Sequence, residues 1–109
     1  MEPYEYVYSL RVGHEHPTDA IRVDRETPFG NPFIVGRDGV VGECCAKHRE
    51  WLETGATFGN KRASHALRMT VLLNIHNLRG KKLLCWCAPK DRAKPFLCHA
   101  VTLAEFANR

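Results

Sequence analysis

The sequence predicts a small α/β fold, in which a short sheet is covered by about three helices in a Rossmann-like arrangement. Three observations predict it. The chain has 109 residues, too few for two domains that each bury a core. Its 44% hydrophobic and 26% charged residues are ordinary for a globular chain. Short strand-like runs and longer segments of helical periodicity follow one another in the order β-β-(β)-α-α-β-α. We therefore expect residues 1–109 to form a single α/β domain.

The first two predicted strands lie near the N-terminus. Residues 4–12 alternate apolar and polar side chains and are rich in aromatics, which is typical of a half-buried strand. A turn-rich loop follows. Ile21 and Val23 then alternate with polar neighbours in a short second strand that ends near Arg25.

The middle of the chain changes from loop to helix. Residues 27–33 contain one glycine and two prolines, which predicts an irregular loop. Residues 33–36 are apolar enough for a brief third strand. Apolar side chains then recur at helical spacing over Val41–Glu53, which predicts an amphipathic helix.

The last third predicts a helix, a strand and a final helix. Ser64 is a suitable N-cap for the second helix, and Gly80 is suited to end it. Residues 82–87 are almost continuously apolar, which favours a central strand buried on both faces. Pro95 suits the first turn of the last helix.

A ligand site is predicted where two loops leave the sheet. One loop follows the second strand and the other follows the last strand. If these strands run parallel, both loops lie at the same edge, where α/β folds gather ligands. The residues expected to bind a ligand there are Arg25, Gly30, Asn31, Pro89 and Cys98, beside Cys87 and His99.

Three motifs resemble one known family. The segment TPFGNPF at 27–33, the segment LCWCAP at 84–89 and the Cys-His pair at 98–99 together resemble small bacterial and phage proteins known as domain of unknown function 4326. The resemblance includes Arg25 and the helix at 41–53, and covers nearly the whole chain. The spacer between the last two motifs is longer here than the family's usual link. The resemblance implies membership of the family, but no activity.

Cysteine chemistry has two interpretations at this site. Cys85, Cys87, Cys98 and His99 could supply the four ligands of a structural zinc site, with the first two on the same side of a strand. Their spacing is poorer than that of two C-x-x-C pairs, so no metal is favoured and zinc stays an alternative. The favoured interpretation of Cys85 is a buried apolar residue, because free cysteines are among the most buried side chains.

Cys87 and His99 are also candidate catalytic residues. Cys87 lies where a strand gives way to a basic loop, and nearby cations lower a thiol pKa and increase its thiolate fraction. His99 could act as its base, as in cysteine–histidine nucleophilic catalysis. Such a site would serve a transferase or a hydrolase. Whether the chain is an enzyme stays open.

Ligand binding is the leading functional hypothesis. Gly30 and Asn31 can be turn residues only. Alternatively, Gly30 allows close approach of a ligand and Asn31 hydrogen-bonds a base or sugar, while Arg25 holds an anion. Together these residues favour a nucleotide-like or phosphorylated small ligand.

Net charge and cysteine content limit which partners and which cellular compartment we expect for this chain. A net charge of +4 with dispersed basic residues is modest, so weak nucleic-acid binding is the most we expect. One alternative is a phage-type protein that acts on nucleic acid or a host protein through a basic surface; another is a zinc-stapled structural module. No apolar run could span a membrane. Five cysteines and the absence of a signal peptide predict a reducing cytoplasm.

Overall fold

A parallel sheet of three short strands organises the fold. In the computed structural model, which describes residues 1–109, β1 spans Val7–Ser9, β2 spans Ile21–Arg22 and β3 spans Leu83–Cys85. The strand order is β1-β3-β2, and β3 pairs in parallel with both neighbours. Every residue of β3 is buried, as its continuous apolar sequence predicts. The carboxyl ends of all three strands therefore meet at one edge of the sheet.

Three helices flank this sheet, and the predicted α/β fold is confirmed. They are α1 at Val41–Thr54, α2 at His65–Asn74 and α3 at His99–Ala107. Two short 3-10 helices, Pro3–Tyr6 and Ile75–Leu78, precede β1 and continue α2. No helix is both long enough and apolar enough to cross a bilayer.

The predicted ends of α2 have a clear physical basis. The Ser64 hydroxyl accepts a hydrogen bond from the backbone of Leu67, which is the N-cap role expected of it. After the 3-10 turn, Gly80 adopts φ +71°, a left-handed conformation that ends the segment.

The first strand is much shorter than predicted. Residues 4–12 were expected to be extended, but β1 contains only Val7–Ser9. Pro3–Tyr6 forms a 3-10 helix instead, with proline in its first turn and the Glu5 carboxylate accepting from the backbone of Glu2 at 2.6 Å. Local capping here overrides the alternating pattern.

The brief third strand predicted at 33–36 does not form. The backbone N–H of Phe33 donates to the Asn31 side chain at 2.9 Å, and that of Ile34 donates to Asp38 at 2.8 Å. Because these donors are bound to side chains, they are not free to pair with a neighbouring strand.

The last strand and the last helix also differ from the prediction. The strand expected over 82–87 ends at Cys85, and Cys87 lies in a turn. Helix α3 begins at His99, and Pro95 lies outside it in an irregular segment. Arg92 holds this segment against the N-terminus. Its guanidinium donates to the backbone carbonyls of Glu5 and Val7, and its central carbon lies 3.5 Å from the centroid of the Tyr8 ring.

The core lies between the sheet and the helices. Trp51 of α1 is buried, packs edge-to-face on Phe33 at 6.5 Å, and donates its indole N–H to the Ala63 carbonyl at 3.1 Å. These contacts fix α1 against the loop that follows β2, and so position one wall of the site.

Candidate metal centre and adjoining cavities

Three cysteines from separate segments meet at the carboxyl edge of the sheet. Cys85 is the last residue of β3, Cys87 lies in the following turn, and Cys98 directly precedes α3. Their sulfur atoms all lie within 4.8 Å of one another. The segment 90–97 therefore folds back and returns Cys98 to the other two. These three thiols are close enough to hold a metal ion.

The His99 imidazole lies beside this cluster in a defined tautomer. Its Nε2 lies 2.6 Å from the Val23 carbonyl oxygen, which can only accept, so Nε2 carries the proton. Burial lowers the pKa of His99 and favours the neutral ring. The unprotonated Nδ1 faces sulfur atoms, 3.6 Å from Cys85 Sγ and 4.0 Å from Cys98 Sγ. On its other side the ring packs against His48 at right angles, with 5.4 Å between centroids.

The thiols do not titrate alike. Hydrogen bonds from Cys85 and Cys98 lower the pKa of Cys87, so the first negative charge of the cluster resides there. The hydrogen bond with Cys85, followed by the one with Cys87, raises the pKa of Cys98, and the hydrogen bond with Cys87 raises the pKa of Cys85. Cys87 is also the exposed member, while the other two are buried. The open side of the cluster is therefore where a thiolate forms most readily.

A cavity of about 100 Å³ opens beside the cluster. Its walls bring together Arg25, Asn31, Cys87 and His99, four of the residues predicted to share a site. The other three lie elsewhere: Gly30 lines a neighbouring cavity, Pro89 lines a third, and Cys98 lies behind the wall. No contact joins His99 Nδ1 to Cys87, since that nitrogen faces Cys85 and Cys98. The predicted catalytic roles of Cys87 and His99 stay predictions.

Gly30 is required by the chain's own backbone. A Cβ atom at this position would lie 2.5 Å from the Arg25 Cα and 2.9 Å from the Asp24 carbonyl oxygen. Real side chains do not approach backbone so closely, so only glycine fits the turn between residues 24 and 30. Its role here is a close crossing of two backbone segments.

Asn31 and Arg25 hold the same loop from two sides. The buried Asn31 side chain donates to the Cys44 carbonyl of α1 at 3.4 Å and accepts from the Phe33 backbone. Arg25 donates to the carbonyls of Asn31 and Phe33, each at 3.2 Å. These bonds keep the guanidinium in a fixed plane at the edge of the cavity.

Comparison with known families agrees with the motifs. The model of one family, described as domain of unknown function (DUF4326), matches residues 9–109. The chain belongs to this family. The match includes all three motifs and confirms the resemblance inferred from them. No curated protein and no solved structure matches the chain.

Two buried polar residues of this DUF4326 domain are not among those predicted from the sequence. Asp24 is buried in the cavity wall, where it accepts from Arg22 at 2.6 Å and from the Trp86 indole at 3.0 Å. The hydrogen bond from Arg22 is the main cause that lowers the pKa of Asp24. The sequence feature that could have indicated this role is a carboxylate at the end of a strand, directly before Arg25.

Asn60 had no comparable signal. It lies in the glycine-containing loop between α1 and α2, yet its side chain is buried. It donates to the Pro32 carbonyl at 2.9 Å and to Asp38 at 3.0 Å, and it accepts from the backbone of Arg62 at 2.8 Å. Asn60 thus joins the loop after β2 to the loop before α2.

Proposed function

We propose that this domain binds one Zn²⁺ ion through Cys85, Cys87, Cys98 and His99. The observation that supports this most is the geometry of the four donors: three sulfur atoms within 4.8 Å of one another and Nδ1 at 3.6 Å from the nearest of them. Three thiolates and one imidazole are a usual ligand set of structural zinc sites.

The separations suit a tetrahedral ion. With Zn–S bonds of about 2.3 Å and Zn–N bonds of about 2.0 Å, donor atoms of a tetrahedral site lie roughly 3.5–3.8 Å apart. The three sulfur atoms are already close to that spacing, and His99 Nδ1 lies 3.6 Å from Cys85 and 4.0 Å from Cys98, so the imidazole would have to move toward Cys87 to complete the site. The bond from His99 Nε2 to the Val23 carbonyl supplies the outer partner that zinc-bound histidines generally have.

The proposed metal has a structural role. It would join the end of β3, the turn after it and the start of α3, on either side of the irregular segment 90–97. Small domains often depend on such staples because their cores are limited. Four protein donors close the coordination sphere, which favours a structural site over a catalytic one. Free thiols or thiolate ligands also suit the predicted reducing cytoplasm.

A second candidate function is binding of a phosphorylated or nucleotide-like small ligand. The specific observation in its favour is that Arg25, Asn31, Cys87 and His99 line one cavity. At about 100 Å³ this cavity is smaller than the roughly 300–1,000 Å³ typical of drug-sized ligands, so it suits a fragment or a single group. A transferase or hydrolase reaction at Cys87 would require a metal-free thiolate. Binding to nucleic acid or a host protein through the basic surface has no comparable cavity in its favour.

The experiment that tests zinc is native mass spectrometry of the purified protein. We expect one zinc ion per chain, and its loss in the variants Cys85→Ser, Cys87→Ser and Cys98→Ser. The matched control is Cys45→Ser, since Cys45 lines the cavity but does not belong to the cluster. That variant should retain one zinc.

His99→Ala tests the fourth ligand separately. It should weaken zinc binding by more than the roughly 10–100-fold that loss of an outer partner costs, measured by competition with a chelator. Exposed His65→Ala should leave the affinity unchanged. A wild-type protein that takes up no zinc, or a Cys45→Ser variant that loses zinc as completely as the other serine variants, would contradict the proposal.

A further inference from the structure

A second cavity adjoins the metal centre on the other side of Arg25. It has a volume of about 220 Å³ and lies between the loop after β2 and the start of α2. Arg25 and Asn31 line both cavities, so they form the wall between them. A ligand in the second cavity would therefore be separated from the first cavity by these two side chains.

All charged side chains that line this cavity are positive. Arg25 and Arg62 both line it, and its eight lining residues include no aspartate or glutamate. Neither arginine forms an ion pair within 4.0 Å, whereas Arg22 and Arg49 elsewhere in the chain do. Two unneutralised guanidinium groups at one concave site are a recognition element for an oxyanion.

The Arg25 side chain is held in place, and the loop that carries Arg62 is anchored through its backbone. Nε and one terminal nitrogen of Arg25 donate to the carbonyls of Asn31 and Phe33, which leaves the other terminal nitrogen free for a ligand. The backbone of Arg62 donates to the buried Asn60 side chain at 2.8 Å. Because the supporting loop is fixed, less conformational entropy is lost on binding an anion.

We propose that this cavity binds the phosphate group of a small phosphomonoester. Arg25 and Arg62 contact the phosphate oxygens, and the apolar side chains of Pro28, Pro32 and Leu67 face the carbon body of the ligand. The inference deepens the ligand-binding candidate above by naming the group and its subsite. It does not depend on zinc. Two cations at a single concave site suit one phosphate, while a nucleic acid needs a row of phosphate contacts.

The test is isothermal titration with inorganic phosphate and with glycerol 3-phosphate. We expect both to bind, and the ester to bind at least about threefold more tightly because of its carbon body. Arg62→Gln should weaken binding at least about tenfold. The Arg62 side chain is exposed and forms no internal hydrogen bond, so this variant should fold normally.

The matched control is Lys61→Gln. It removes the same charge from the neighbouring position, but Lys61 does not line the cavity, so the affinity should change by less than about twofold. Equal losses in the two variants, or no binding at millimolar ligand, would overturn the site. Equal affinity for the two ligands would overturn the assignment to an ester. Tighter binding of a single-stranded oligonucleotide than of the ester would overturn it in favour of nucleic acid.

Zinc content is measured in the same samples. Loss of phosphate binding in a protein that retains zinc contradicts only the phosphate site. Phosphate binding by a protein without zinc contradicts only the metal site.

Discussion

At the scale of single residues, backbone and side-chain geometry at the carboxyl edge of the sheet determine what each group can do. His99 illustrates this. One ring nitrogen is committed to the Val23 carbonyl, so the other is left as a lone pair directed at the sulfur atoms. The same residue type in a loop could use either nitrogen. Here one backbone carbonyl selects the tautomer that can ligate a metal.

Gly30→Ala should destabilise the domain by at least about 2 kcal/mol, because the added Cβ would overlap the backbone of Arg25. Chemical denaturation monitored by circular dichroism measures this. Gly42→Ala is the control, since a Cβ there would meet only a Leu97 methyl at 3.7 Å and alanine favours the helix. Similar losses in the two variants would contradict the role assigned to Gly30.

Asp24 should make stability depend on pH. Hydrogen bonds from Arg22, and to a smaller extent from Trp86, lower its pKa in the folded state. The stabilisation is therefore complete above the unfolded pKa of about 3.9 and is lost as pH falls through the lower folded value.

Asp24→Asn should be less stable at neutral pH and should lose less stability than wild type when the pH falls from about 5 to about 2. Denaturation midpoints across this range measure the effect. Asp19→Asn, at an exposed carboxylate without an ion pair, should keep the wild-type pH dependence. Parallel curves for wild type and Asp24→Asn would exclude this linkage.

At the scale of elements, buried polar side chains hold the loops in place through hydrogen bonds, as backbone pairing does for the strands. Asn60 shows this most clearly, because one amide bonds both the loop after β2 and the loop before α2. Asn60→Ala would leave the Pro32 carbonyl and the Arg62 backbone N–H unpaired, while the Ala63 N–H keeps its bond to the Asn60 backbone carbonyl. We expect it to cost about 2–3 kcal/mol of stability.

The same substitution should also weaken phosphate binding, because the backbone of Arg62 would lose its anchor to the Asn60 side chain. Denaturation and titration of one sample measure both effects. Asn77→Ala, at an exposed position, should change neither. An Asn60→Ala variant as stable as wild type would show that water replaces these bonds.

How far the elements follow from sequence depends on whether the signal is local. The periodicity of Val41–Glu53 predicts α1 to within one residue, and Ser64 marks α2 correctly, because both signals lie within one helix. Pro95 was a misleading signal: a proline suits a first helical turn, but the segment here is fixed by the distant contacts of Arg92. Local patterns do not contain such contacts.

The site follows the same rule. That Arg25, Asn31, Cys87 and His99 line one cavity follows from the parallel pairing of β2 with β3, which the sequence leaves as a condition. That Cys98 approaches Cys85 depends on the path of segment 90–97, for which the sequence has no periodic signal. The bonds of Asn60 are equally long-range.

At the scale of the whole molecule, metal binding and folding should be coupled. The proposed zinc ligands in β3, in the turn after it and before α3 are brought together only by the folded chain, so a bound metal would stabilise the fold by linkage. We expect a strong chelator to lower the melting temperature by at least about 10 °C, and added Zn²⁺ to restore it.

Differential scanning calorimetry measures this, with Ca²⁺ as the control, since calcium prefers oxygen donors and should not restore the transition. The Cys87→Ser variant should melt at the same temperature with and without chelator. A chelator effect of equal size in that variant would contradict the assignment of the site.

The central position of β3 also determines when this protein can fold during synthesis. β1 and β2 do not pair with each other; each pairs only with β3, whose residues Leu83–Cys85 come late in the chain. While the ribosome is still making the first 80 residues, both early strands lack a partner and their apolar side chains stay uncovered. The sheet therefore assembles in one late step, because both of its pairings wait for a strand that is distant in sequence.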